Sequence, residues 1–121
     1  IKYGSNENAS KYSLCGNYWD VVREAVKEMH RQVGDLEIVN GIAVKGLLIR
    51  HLILPNGLAE TRRVLEFLKN DISPQTHVNI MDQYYPAFNA YKYPELSRRI
   101  TRNEYFEAVE FAQELGLRIV A

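Results

Sequence analysis

The run GLLIRHLILPN, residues 46–56, constrains the fold of this chain more than any other stretch. It is short, largely apolar and stopped by the turn signal Pro55-Asn56-Gly57, and a helical pattern follows it. That combination reads as a strand of a parallel sheet buried on both faces. Arg50 and His51 sit inside it on adjacent positions, and so point to opposite faces. An unpaired guanidinium in a two-sided core is costly, so Arg50 should meet an anion. Two sources of that anion are open: an Asp or Glu of this chain, or a ligand carboxylate or phosphate in a cavity. An edge position for the strand would remove the requirement.

Around this strand the chain alternates. It opens on IKYGSN, where a short strand is already ending, and its first residue is Ile1 rather than Met. The expectation is a piece of a larger protein. Residues 4–16 are small and polar without a usable period, and read as a surface loop. Asn17 is a candidate cap for a helix over 17–33 that stops at Gly34, with Tyr18, Val22, Ala25, Val26, Met29 and Val33 as its apolar stripe. His30 lies beside the stripe and reads as a surface or boundary residue. Residues 35–45 form a connection turning at Asn40-Gly41, whose Ile38, Val39, Ile42 and Val44 suggest that it packs down.

After the central strand, a second helix over 58–70 should face Thr61, Val64, Leu65 and Leu68 inward. Residues 76–83, THVNIMDQ, alternate: Val78 and Ile80 point one way, and His77, Asn79, Met81 and Gln83 the other. A polar face on a strand of this kind suggests a wet cavity, a bound ligand or an edge. Residues 84–100 form a long aromatic loop without a helical pattern. Thr101 and Glu104 make a capping box for a helix to Leu115, with Tyr105, Ala108, Val109, Ala112 and Leu115 buried, and LRIVA is a last strand. The fold class is therefore α/β, a mostly parallel sheet with helices on one face, or about half of a (β/α) barrel with right-handed crossovers.

Composition limits the chemistry. Fifteen basic and fifteen acidic residues balance, so no overall field draws nucleic acid or an anionic membrane, and the Tyr-rich loop reads as cover for a core edge. No apolar run has membrane-spanning length. The lone Cys15 excludes an internal disulfide, agrees with a reducing cytoplasm, and excludes a cysteine-ligated cluster built by this chain alone. No phosphate loop, Ser-His-Asp pattern or metal-spaced carboxylates occur.

Residues 46–68, GLLIRHLILPNGLAETRRVLEFL, together with THVNIMDQYYPAFNAYKYPELSRRIT, resemble the C-terminal half of radical S-adenosylmethionine (SAM) proteins. The likeness is to the branch related to the pyruvate formate-lyase activating enzyme, and IRHLILPN, VNIMDQYYP and YPELSRRIT carry it. The resemblance implies a 4Fe-4S cluster that cleaves SAM to a 5′-deoxyadenosyl radical for hydrogen abstraction, typically from a glycine of a partner enzyme. It also implies a reducing partner such as flavodoxin or ferredoxin. The family's CxxxCxxC cluster motif is absent here, so this segment should neither bind the cluster nor catalyse alone.

By the same resemblance, Arg50 matches the arginine that pairs with the methionyl carboxylate, in the pattern completed by Pro55. Lys2 matches the lysine of a D-x-K strand end. Leu52 matches an apolar contact to adenine, and Gln83 and Tyr84 match the segment closing over it. Tyr84 stands where activating enzymes often have histidine. The alternatives are a non-catalytic α/β binding module with an Arg50 anion pocket, or an interaction domain in which Arg50 is paired internally.

Overall fold

Residues 1–120, which the computed structural model describes, begin with two helices, α1 (Asn6–Ser13) and α2 (Tyr18–Val33). A hairpin of β1 (Glu37–Val39) and β2 (Ile42–Lys45) follows, then β3 (Leu48–Leu52), α3 (Thr61–Phe67), β4 (His77–Met81), α4 (Arg102–Glu114) and β5 (Arg118–Ile119). Strands β3, β4 and β5 form one parallel sheet in chain order. The register sets Leu48 against His77, Arg50 against Asn79 and Leu52 against Met81, and His77 in turn against Arg118.

Helices α2, α3 and α4 gather on one face, while α1 packs at the strand ends. Ile49 of β3 and Val78 and Ile80 of β4 are buried together with Val26 of α2, Val64 and Leu65 of α3, and Ala108 and Ala112 of α4. Parallel strands in chain order, with their crossover helices on a single side, wind as a barrel winds; a doubly wound sheet reverses its order and covers both faces. The fold is thus α/β, with a parallel three-stranded sheet and one helical layer.

Local chemistry explains most boundaries. In α4, Thr101 Oγ1 accepts from the Glu104 N–H while Glu104 accepts from the Thr101 N–H, the reciprocal capping box. Helix α3 starts only at Thr61, after a 3-10 turn at Pro55–Gly57 and a left-handed Glu60, and it runs into a π-helical turn over Leu68–Ile72. Val64, Leu65 and Leu68 are fully buried, as their spacing predicts. Helix α2 buries Trp19 and Val26, with Trp19 edge-on to Phe67 at 5.3 Å, whereas Met29 and Val33 are exposed. Asn17 makes no side-chain cap; Oδ1 of Asn6 accepts from the Trp19 N–H at 2.8 Å instead.

Several sequence expectations are corrected. Residues 4–16 are not a loop: α1 is capped by Ser5 and ends on a left-handed Leu14. It escapes a periodicity argument because only Ala9 of it is buried; polar anchors hold it, among them Asn8 Nδ2 to the Leu58 carbonyl at 2.9 Å and Tyr12 Oη to Glu95 at 2.8 Å. Residues 35–45 do not pack down. They form an antiparallel hairpin with Ile38, Val39, Ile42 and Val44 exposed. No strand forms at residues 1–4, although the Ile1 ammonium donates to the Arg50 carbonyl at 2.6 Å, along the edge of β3 away from β4. Strand β4 stops at Met81, short of Gln83. The loop 84–100 contains two 3-10 turns, Phe88–Lys92 and Pro94–Leu96.

Candidate site on the open face of the sheet

Because α2, α3 and α4 cover one face only, alternate residues of β3 and β4 are left on the other. Leu48, Arg50 and Leu52 stand beside His77, Asn79 and Met81, all exposed or half-buried and none part of the helix-side core. The two-sided burial expected of β3 is therefore wrong, since its pattern alternates between exposed and buried. Arg50 is exposed, and among the described residues no carboxylate lies within 4.0 Å of its guanidinium. An internal ion pair for Arg50 is thereby overturned. The guanidinium needs no buried counter-ion because water reaches it.

His51, one position on, takes the buried side. Its ring is fully buried; Nδ1–H donates to the Ile1 carbonyl at 2.8 Å, and the Thr61 hydroxyl donates to Nε2 at 3.0 Å. Desolvation lowers its pKa from 6.5 to about 4, so the ring is neutral at pH 7. It ties the chain start, β3 and α3 together.

At the carboxyl end of β3 the structure brings three of the expected site residues together. Leu52 and Tyr84 pack against a small cluster of Tyr3, Ala9, Leu54 and Ala59. Lys2 and Tyr84 line one cleft of about 290 Å³ with Tyr3, Tyr12 and Tyr93. Arg50 lies two residues before Leu52 on the same face of β3. The Tyr84 hydroxyl is held within the loop, donating to the Leu96 carbonyl at 2.8 Å, and burial pushes its pKa up. Gln83 stands apart, exposed beyond the end of β4. A larger groove of about 660 Å³ between α3 and α4, lined by Arg62, Glu107, Glu110 and Phe111, holds none of these five residues.

Sequence reasoning missed the network that fixes the mouth. Asn56 adopts a left-handed conformation with φ 60°, and its N–H donates to Glu104 Oε2 at 2.7 Å. Arg98 donates to both Glu104 oxygens, at 2.8 and 3.2 Å, and to Asn56 Oδ1 at 3.0 Å. The Arg98 guanidinium, with the Asn56 and Thr101 amides, lowers the Glu104 pKa to about 2. The sequence signs were the Thr101–Glu104 box and an Asn at a turn, a residue that tolerates positive φ; neither pointed to Arg98.

Among the described residues no group of three or more His, Cys, Asp or Glu could hold a metal ion, and Cys15 is exposed. These donors do not fit an iron–sulfur cluster, which takes its ligands chiefly from several thiolates. No helix among the described residues is long and apolar enough to cross a membrane.

No family model matches the chain, and no solved structure matches it. It is similar to an uncharacterized protein, MJ0674, of Methanocaldococcus jannaschii, with 32% identity over 121 residues. That alignment covers 99% of this chain and 32% of the archaeal protein, so the chain spans about a third of the length of the curated relative it matches.

Proposed function

We propose that this chain is the C-terminal half of the barrel of a radical SAM protein related to the pyruvate formate-lyase activating enzyme. Arg50 would hold the methionyl carboxylate of SAM, and Lys2, Leu52 and Tyr84 would border the same molecule at the carboxyl ends of the strands. Gln83 belongs to this set only if the exposed segment after β4 folds inward. The cluster would be held by another part of the parent protein. A glycyl radical enzyme as substrate and a flavodoxin or ferredoxin as electron donor belong to the same proposal.

One observation carries the reading: Arg50 sits on an open sheet face with no carboxylate of the described residues to meet it. A forked guanidinium suits a carboxylate. A non-catalytic module binding another carboxylate or phosphate is favoured by the same arginine, together with the single cysteine of the chain.

The test is Arg50→Met. In residues 1–121 alone, stability should change by no more than about 1 kcal/mol, because the charge removed is solvated. In the full-length parent, SAM binding should weaken by roughly 2–4 kcal/mol, the loss from truncating one side of a desolvated charge pair. Unchanged SAM affinity rules out the role given to Arg50. Reconstitution of the full-length parent with iron and sulfide separates the two readings: a radical SAM protein gains a visible iron–sulfur absorption, and a binding module does not.

A further inference from the structure

We infer that the aromatic lip over the tyrosine cleft is a docking surface for an extended acidic segment of a partner protein. The inference goes beyond the SAM reading and does not depend on what Arg50 holds; Lys2 and Tyr84 line the cleft and are shared with the residues given to SAM, whereas the lip itself is not.

The cleft is lined by Tyr3, Tyr12, Tyr84, Tyr85, Tyr93 and Lys2, and Lys2 is the one charged residue in it. Four of these tyrosines already use their hydroxyls: Tyr3 with Ser13, Tyr12 with Glu95, Tyr84 with the Leu96 carbonyl and Tyr93 with the Lys11 carbonyl. What remains to an occupant is ring surface, the Lys2 ammonium and the Asn89 amide. About 290 Å³ has room for one or two side chains of a longer segment rather than a whole drug-sized ligand.

The lip continues this surface outward. Phe88 is 95% exposed and held at φ +50°, a left-handed conformation rare for a bulky residue. Tyr85 and Tyr91 are exposed beside it in sequence. Aromatic side chains presented on a rim are the groups that anchor protein interfaces. The charged residues of the cleft and of the lip's own segment, 84–100, are mostly positive: Lys2, Lys92, Arg98 and Arg99 against Glu95. Lys2 of the cleft and Lys92 and Arg99 of that segment are exposed with no ion pair among the described residues, and the one such carboxylate within or just before the segment is Asp82. Lys11 and Glu95 neutralise each other, as do Arg98 and Glu104. An acidic segment complements this field. Single-stranded nucleic acid also pairs aromatic stacking with cations, but it needs a basic track along its backbone, and the balanced charge of the chain supplies none.

The test measures fluorescence anisotropy of a labelled twelve-residue peptide of Glu, Gly and Leu. Its Lys-for-Glu counterpart and a labelled oligothymidylate serve as the two comparison probes. All are titrated with residues 1–121 and with the full-length parent. The acidic peptide should bind both proteins, weaken with added salt, and exceed the lysine peptide and the oligonucleotide in affinity. Phe88→Asn, which keeps a residue tolerant of positive φ, combined with Lys92→Glu should weaken it by about tenfold or more. The melting temperature and the SAM titration of the full-length parent should not move, because neither side chain is buried or expected at SAM. No binding, equal binding of the lysine peptide, preference for the oligonucleotide or an unaffected double variant overturns the inference. So does binding by residues 1–121 but not by the parent, since the surface would then be covered by the parent's own chain. Loss of SAM binding at Arg50→Met with peptide binding intact tests the earlier proposal separately.

Discussion

His51 and Arg50 share a strand and are treated oppositely by it. The ring of His51 is folded into the core as a neutral group with both nitrogens bonded, and its pKa falls from 6.5 to about 4. The unfolded chain therefore takes up a proton near pH 6.5 that the folded chain refuses until about pH 4. Stability from this group is fully present above pH 6.5, falls as the pH drops through that window, and levels off below it. The loss amounts to roughly 3 kcal/mol at pH 4. Urea melts at pH 7, 5.5 and 4.5 should show the decline, and a His51→Gln variant should lack it; a flat profile in the wild-type chain rules out the neutral buried ring. Two glycines make a similar contrast. Gly46 has φ +102°, and a Cβ there would lie 2.1 Å from the Asp35 carbonyl oxygen, whereas Gly41 has φ +79° with open space around it. Gly41→Ala should cost about 1–2 kcal/mol for backbone strain alone. Gly46→Ala must also move the backbone of Asp35, and should cost clearly more in the same melts.

At the scale of elements, the sequence announced what is periodic and buried. Helix α4 with its Thr101–Glu104 box, the inward residues of α3 and the alternation of β4 all follow from spacing. What it concealed is held by polar contacts or left exposed. Helix α1 rests on side-chain bonds from Asn8, Tyr12 and Ser5 that no period signals, and the four aliphatics of the hairpin resemble a buried segment although they face solvent. For the candidate site, Arg50 was conspicuous as a cation in an apolar run, but the reason first given, burial on both faces, was wrong. The cleft was less legible because Lys2, Tyr12, Tyr84 and Tyr93 are far apart in the chain and meet only when α1 lies across the strand ends. A testable consequence concerns α1. Asn8→Ala removes its bond to the Leu58 carbonyl, and should lower stability by about 1 kcal/mol while loosening the cleft, measured as increased quenching of tyrosine fluorescence by acrylamide.

For the molecule as a whole, one carboxylate links parts that are remote in sequence. Glu104 begins α4, accepts from the Asn56 amide at the end of the β3 segment, and binds Arg98 of the aromatic loop. Its pKa of about 2 means that this support is complete above about pH 4.5 and is lost only as the pH falls toward 2, below the window of His51. Glu104→Gln should cost about 1–2 kcal/mol, discounted because Arg98 is partly solvated. A larger effect should appear in hydrogen exchange. The amides of Asn56 and Thr101 both end on Glu104, so they are expected to exchange as a pair and to accelerate together in the variant, although 45 positions separate them. The turn after β3, the loop and the head of α4 would then open as a single cooperative unit. In that case the mouth of the sheet has two states, shut or released, and any ligand that touches one part of it is felt by all three.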